Sequence, residues 1–341
     1  ERMKSRNASA RSPAEYGTAT TLRPARDSCE SCHWPAAEHD DSIMLKTHYG
    51  TDPASSETRT KLVLHTGFGV LREGSSKGVH WHIENDVRFV SLDPQRREIP
   101  WVEVRNADGS TVTYTDADTG STAEEIAAAE PRPMVCYDCH NNVGHVFANP
   151  EVAVDEAIAA GRIDRSLPGA KARAKAIIDA AGELSGERDK REAEIDRLIA
   201  EASAGAGTKP EDRQKEQQFN ATMKDIMLAS TFEADGITWK SFPDHTGHSE
   251  TPGCFRCHDG KHFNEQGEAI RLQCTLCHGL PQVERENGRS SVASLVPGME
   301  REQQPDGHGK PNFMHVHGDE LGPECEKCHG APLKFGRSGG N

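Results

Sequence analysis

Cys254-Phe255-Arg256-Cys257-His258 is one of five pentapeptides in this chain that follow the pattern Cys-X-X-Cys-His. The other four begin at Cys29, Cys136, Cys274 and Cys325, and together the five copies contain all ten cysteines. Two thiols at this spacing can each form a thioether bond to one haem, and the histidine that follows them can bind the haem iron. The pattern therefore predicts a c-type cytochrome with five covalently attached haems.

The motifs assign two roles, covalent attachment and proximal ligation of the iron. The predicted attachment residues are Cys29, Cys32, Cys136, Cys139, Cys254, Cys257, Cys274, Cys277, Cys325 and Cys328. The predicted proximal ligands are His33, His140, His258, His278 and His329.

A structural zinc site is the alternative interpretation of the cysteines. The interval from Cys254 to Cys277 also has the spacing of a zinc ribbon. Such a site does not require a histidine directly after each second cysteine, yet one stands there in all five copies. Because no cysteine is left over, haem is the interpretation that accounts for every motif.

The composition favours an interior that is completed by cofactors. Only 34% of the 341 residues are hydrophobic and 5% are aromatic, so side chains alone would form a thin core. Porphyrins would add apolar surface and covalent crosslinks. The formal net charge of -14 argues against nucleic acid as a partner and favours docking to basic patches on redox proteins.

We predict a mostly irregular and α-helical multihaem cytochrome c fold with a small antiparallel β module and a helical insert, its core built around five haems. The predicted segments are an N-terminal arm with haem 1 (1–57), the β module (58–122), the haem 2 segment (123–149), the helical region (150–232) and a trihaem C-terminal segment (233–341). Because three motifs lie close together in the last segment, its haems are expected to form one cluster.

β-Branched and aromatic residues indicate the strands of the β module. The predicted strands are 61–71, 79–92, 99–105 and 111–115. On the second of these, His80 and His82 would alternate and so share one face.

Capping signals and apolar periodicity predict four helices in the helical region. Asn149 and Pro150 begin the first, Gly182 ends the second, and residues 187–202 form a charged third helix. In the fourth helix four apolar side chains share one face: Phe219, Met223, Ile226 and Met227. We interpret the two methionines as core residues in preference to haem ligands.

We expect bis-histidine ligation at each haem, with the distal iron ligands supplied by histidines outside the motifs. Five of the 17 histidines belong to motifs, and the remaining twelve exceed the five ligands that bis-histidine ligation would require. Histidine pairs give lower potentials than His/Met pairs, because thioether ligation raises the potential. His145 and His262 each follow a motif so closely that they could serve only a neighbouring haem.

Several segments resemble a known family. Residues 136–168 (CYDCHNNVGHVFANPEVAVDEAIAAGRIDRSLP), 246–262 (TGHSETPGCFRCHDGKH), 78–83 (GVHWHI) and 97–104 (REIPWVEV) are similar to periplasmic multihaem cytochromes c of the NapC/NirT-like quinol-dehydrogenase group. We therefore expect a pentahaem form of that family. The resemblance implies five distal ligands: His145, His248, His262, His315 and one of His80 or His82, with His80 preferred. The reserve candidates are His82, His48 and His317.

The expected function is electron transfer through low-potential haems in anaerobic or metal-linked respiration. The expected partners are a quinol-oxidising module and a terminal acceptor. A subunit of a polymeric cytochrome filament or of a membrane respiratory complex is an alternative. A reductase of nitrogen or sulfur oxyanions is another alternative, although the Cys-X-X-Cys-Lys motif typical of ammonia-forming nitrite reductases is missing.

The expected location is periplasmic or extracellular, because haem is attached to this motif on the outer side of the bacterial inner membrane. The sequence contains no apolar stretch of transmembrane length and no signal-peptide core among its first 28 residues. We therefore expect a mature or trimmed chain that does not itself span the membrane. Members of the resembled group carry a transmembrane helix before their first haem.

Overall fold

A computed structural model describes residues 25–33, 41–67, 78–106, 108–143, 147–204, 209–242, 244–248, 251–272, 274–286 and 290–292. The fifth motif lies outside the described residues, and so do His145, His315 and His317.

The described helices are α1 (Ala25–Cys29), α2 (Trp81–Glu84), α3 (Ala123–Ala128), α4 (Pro150–Ala159), α5 (Ala170–Ala181), α6 (Arg188–Ala204) and α7 (Arg213–Ser230). The described strands are β1 (Ser42–Tyr49), β2 (Glu57–Leu64), β3 (Asp86–Val90), β4 (Trp101–Arg105), β5 (Thr111–Asp116), β6 (Arg132–Pro133), β7 (His262–Phe263), β8 (Gln282–Arg285) and β9 (Ser290–Val292).

The strands form two antiparallel sheets, where the sequence predicted one β module. One sheet has the order β1-β2-β8-β9 and the other the order β6-β3-β4-β5-β7. Each sheet is completed by strands from far along the chain: β8 and β9 follow the fourth motif, and β7 follows the third. Pairing over such distances leaves no local sequence signal, which is why residues 58–122 looked self-contained.

The predicted strand 79–92 is wrong in its first half. Residues 81–84 form the short helix α2, and only residues 86–90 form a strand. The side chain of Asn85 donates a hydrogen bond to the carbonyl of Trp81 and closes this turn. The turn decides where His80 and His82 point.

The helical insert consists of α4 to α7 and agrees with the sequence prediction. The side chain of Asn149 accepts a hydrogen bond from the amide of Glu151 at the start of α4, and Gly182 ends α5. Phe219, Met223, Ile226 and Met227 are all buried in the core of the insert. The interpretation of the two methionines as core residues is therefore confirmed.

The insert packs against the first sheet at the end of β1. Tyr49 belongs to the same buried cluster as the apolar residues of the insert. The carboxylate of Asp155 on α4 accepts hydrogen bonds from the amide of Tyr49, from the Nδ1 of His48 at 2.8 Å and from the Nζ of Lys171 at 2.7 Å. Asp155 thus anchors the insert to the part of the molecule that carries the haem motifs.

Candidate haem-binding sites

Each described motif is folded as a tight turn. Helix α1 ends at Cys29, and short 3₁₀ turns cover Cys136–Asp138, Gly253–Arg256 and Cys274–Leu276. In the first three motifs the amide of the histidine donates to the carbonyl of the first cysteine, at 2.8 to 3.0 Å. This turn brings the two thiols and the imidazole together, as attachment and ligation of one haem require.

Three motif histidines each face a second imidazole. The ring of His140 lies 6.2 Å from that of His80, the ring of His258 lies 5.8 Å from that of His82, and the ring of His278 lies 6.1 Å from that of His248, measured between ring centroids. The rings of the first and third pairs are nearly parallel, with interplanar angles of 27° and 26°, whereas those of the second are almost perpendicular at 86°.

These separations fit an iron atom between the rings. With the metal about 2 Å from each imidazole nitrogen, two axial ligands hold their ring centroids roughly 6 Å apart. A direct stacking contact would bring parallel rings closer. A haem iron requires only two axial side chains, since the porphyrin supplies the remaining ligands. Two facing imidazoles are therefore the arrangement that a haem iron would require.

Backbone carbonyls orient several of these imidazoles. The Nδ1 atoms of His80 and His82 donate to the carbonyls of Thr66 and Val79, at 2.6 and 2.8 Å. The Nδ1 of His258 donates to the carbonyl of Arg271 at 2.7 Å. A carbonyl oxygen can only accept, so Nδ1 carries the hydrogen and the lone pair is on Nε2, the atom that would bind iron.

Burial keeps these rings in the neutral form that binds a metal. It lowers the pKa of His82, His140 and His248, and it lowers the pKa of His258 to about 4. The facing imidazole lowers the pKa of His140, His248 and His258 further, and the ring of His80 does the same for His82. At neutral pH each of these rings is uncharged and can donate its lone pair.

His80 and His82 face different motifs because His80 directly precedes the helical turn of α2 and His82 lies within it. Two residues apart on a helix are separated by about 200° around its axis, so the two rings diverge towards His140 and His258. The sequence predicted a strand with both rings on one face and a single ligand from the pair. The structure brings both histidines to motifs.

His262 was predicted as a distal ligand, but no motif histidine among the described residues faces its ring. Its ring is 1% exposed, and both nitrogens are engaged: Nδ1 with the carboxylate of Asp259 at 3.0 Å and Nε2 with the carbonyl of Ile99 at 2.7 Å. Burial alone would lower the pKa of His262, but the hydrogen bond and charge of Asp259 raise it. This arrangement argues against iron ligation and for an imidazolium that joins β7 to the loop before β4.

The described histidines outside the three facing pairs include His33, His48 and His65. His33 is exposed, and no described imidazole faces it. His48 is held through Nδ1 by Asp155, with its side chain 65% exposed, and His65 is held in the same way by Asp41 at 3.1 Å. Carboxylates commonly orient metal-binding histidines in this manner. The distal ligand of the first motif is not identified by these contacts.

The four described motifs are in contact in chain order. Helix α1, which ends at Cys29 of the first motif, contacts the 3₁₀ turn that begins at Cys136 of the second. The thiol of Cys277 in the fourth motif lies close enough to that of Cys254 in the third to lower the pKa of Cys254 to about 7. The second and third motifs also adjoin: burial raises the pKa of the Cys139 thiol in the second motif, and the nearby Cys254 of the third motif raises it further. The third and fourth motifs are therefore in contact and the second motif adjoins them, while the fifth motif of the expected C-terminal cluster lies outside the described residues.

Two residues that sequence reasoning passed over lie inside the motifs. Asp138 is the residue before Cys139, and Arg256 is the residue before Cys257. Both are buried, and the guanidinium of Arg256 donates to the carbonyl of Asp138 at 2.9 Å. The variable positions of such a motif are expected to face solvent. The sequence signal for a contact between the two motifs was the pair of opposite charges at the same motif position, Asp138 and Arg256.

No protein-family model matches the chain, and no solved structure matches it. The chain is 34% identical over 325 residues to the cytochrome c-type protein ImcH of Geobacter sulfurreducens. The similarity supports a multihaem cytochrome c. It implies covalently bound haem c, the cofactor that the motifs predict.

The matched region covers 93% of this chain and 60% of ImcH. The chain thus spans less than two thirds of the relative. None of the described helices is both long and apolar enough to cross a membrane.

Proposed function

We propose that this protein transfers electrons through five c-type haems, of which those of the first four motifs lie next to one another in chain order. The observation that carries the proposal is the set of three facing imidazole pairs, each at the separation that an intervening iron requires. The contacts between consecutive motifs support the order 1-2-3-4.

The proposed axial pairs are His80 with His140, His82 with His258, and His248 with His278. His33 and His329 are the proposed proximal ligands of the first and fifth haems. His145 and His315 stay predicted distal ligands, and His48 and His317 stay reserve candidates. His262 is left out of the ligand set because both of its ring nitrogens are already hydrogen-bonded.

Each bound haem would supply a reversible one-electron couple. The two imidazoles of each pair would fill both axial positions, and catalysis on a small substrate requires an open one. Electron transfer is therefore favoured over a reductase at these three motifs. Histidine pairs also favour low potentials.

An extracytoplasmic location and redox protein partners are part of the proposal. The motif and the similarity to a cytochrome c-type protein support both. We propose a quinol-oxidising donor and a terminal acceptor as these partners, and assembly into a filament or a membrane respiratory complex as the alternative.

The number of haems is tested by the intact mass of the denatured protein, produced with a haem-attachment system. We expect the polypeptide plus five haems, because thioether bonds survive denaturation. A protein that binds zinc at its cysteines would instead lose the metal and show the bare polypeptide mass.

The axial pairs are tested by His80→Ala, His82→Ala and His248→Ala, made separately. Each variant should convert one haem to a high-spin form that binds carbon monoxide when reduced, while the haem count is unchanged. His262→Gln is the matched control, because it changes a buried histidine of the same region that is not proposed to bind iron. Its spectrum should stay low-spin. If His82→Ala also stays fully low-spin, the assignment of the third motif is wrong.

A further inference from the structure

The second and third motifs meet at a cluster of four charged residues, which we call the arginine junction: Arg96, Arg132, Asp138 and Arg256. The carboxylate of Asp138 is 2% exposed and pairs with Arg96 at 2.6 Å and with Arg132 at 3.0 Å. Its second oxygen accepts from the amide of Val135 at 2.7 Å. Asp138 is therefore fully occupied by partners other than Arg256.

Arg256 is buried without an ion pair among the described residues. Its guanidinium donates to three carbonyls, those of Gly253 at 2.9 Å, Arg96 at 2.8 Å and Asp138 at 2.9 Å. These carbonyls belong to the residue directly before the third motif, to the loop before β4 and to the second motif. The side chain thus binds the two motifs together, although only carbonyl dipoles compensate its charge.

The arginine junction has an excess of positive charge. Three guanidinium groups and one carboxylate leave a formal charge of +2, in a chain whose net charge is -14. His245 lies beside it, with Nε2 bonded to the carbonyl of Gln95 and a buried Nδ1 that has no hydrogen-bond partner among the described residues. Burial and the charge of Arg256 lower the pKa of His245 to about 4, so this ring adds no charge at neutral pH.

A purely structural role would not require a charge at this position. Burying a guanidinium without a carboxylate is unfavourable, and neutral donors could bond the same carbonyls. A buried charge does act strongly on a neighbouring redox centre, because it is poorly screened by solvent. Ferric haem carries one more positive charge than ferrous haem, so a fixed cation destabilises the oxidised form.

We propose that the positive charge of Arg256 raises the reduction potentials of the haems at the second and third motifs above those of the haems at the first and fourth motifs. The inference rests on the proposed function, since it requires haem at both motifs. Electrons entering the chain would reside preferentially at these two central haems. Asp138, with the opposite charge in the same cluster, moderates the effect.

Haem-resolved redox titration of the full chain tests this proposal, with three arginine variants compared. Arg256→Gln removes the charge, Arg256→Lys keeps it while losing the three-way hydrogen bonding, and Arg197→Gln removes one positive charge from the exposed surface of α6. We expect two haem potentials to fall in Arg256→Gln, a much smaller change in Arg256→Lys, and none in Arg197→Gln.

Equal shifts in Arg256→Gln and Arg256→Lys would overturn the proposal, because geometry and not charge would then set the potentials. Unchanged potentials in Arg256→Gln would overturn it as well. Asp138→Asn tests the same claim with the opposite sign if Arg256→Gln does not mature: two potentials should rise, and their failure to do so contradicts the account.

The haem count and the low-spin spectrum of the wild-type protein are recorded on the same samples. A deficit there would reject the proposed function itself. Normal haem content and ligation with unmoved potentials would reject only the role of Arg256.

Discussion

The helical insert and the haem-motif region are two parts of one chain with differently built interiors. The insert buries aliphatic and aromatic side chains from all four of its helices. The second sheet, which adjoins the motifs, buries a cluster of only four apolar residues: Val87, Phe89, Ile99 and Val102. Around it lie buried polar groups such as Asp138, Arg256 and His262.

The difference shows what each region requires in order to fold. Burial of apolar surface stabilises a domain by about 25 cal/mol per Å², and the insert has enough of it in its own sequence. The haem-motif region has little, and its buried polar groups need compensating partners. Attached porphyrins would supply the missing apolar surface there.

Production of the chain without haem attachment should therefore cause the largest difference in stability between the two regions. The amides of the insert's helices should stay protected from exchange, because the buried core of the insert contains no residue of a described haem motif or of a proposed axial pair. The haem-motif region should lose its tertiary structure. Hydrogen exchange measured by mass spectrometry would resolve the two. Slow exchange in β3 to β5 of the haem-free protein would contradict the view that haem completes this interior.

Phe219→Ala should produce the reverse pattern. Phe219 is fully buried in the insert, and truncation of such a residue destabilises by about 3–5 kcal/mol through lost burial and a cavity. The midpoint of helix unfolding in urea should shift accordingly, with the haem spectrum unchanged below that midpoint. Val152→Ala, at an exposed position of α4, is the control and should have little effect.

The insert was predictable from sequence because its signals are local. The cap at Asn149, the glycine at 182 and the apolar spacing of α7 each lie within one element. The haem attachment residues were equally evident, since each motif is five residues long.

The distal ligands and the sheets depend on contacts far apart in sequence. His82 faces His258 only because α2 replaces the first part of an expected strand. His262 looked like a ligand beside its motif, but pairing of β7 with β5 buries it against Asp259 and Ile99. The local sequence does not predict either arrangement.

The smallest expected effect concerns pH at the contact between the two regions. Burial alone would raise the pKa of Asp155, but hydrogen bonds from His48 and Lys171 lower it below its usual range. A carboxyl whose pKa is depressed by folding contributes stability above its unfolded pKa and loses it as the pH falls through the folded value. Docking of the insert should therefore weaken in acid.

Hydrogen exchange of β1 and α4 against pH would measure this effect. Asp155→Asn should remove the acid-dependent step and leave docking weaker at neutral pH. An unchanged acid step in that variant would assign it to another group.

A structure of the haem-loaded protein tests the central claim most directly. We predict one iron between His80 and His140, one between His82 and His258, and one between His248 and His278, with the second and third irons in adjacent haems at the arginine junction. An iron of the second or third motif with any other distal ligand, or metal held by the cysteine thiolates without porphyrin, would contradict the account.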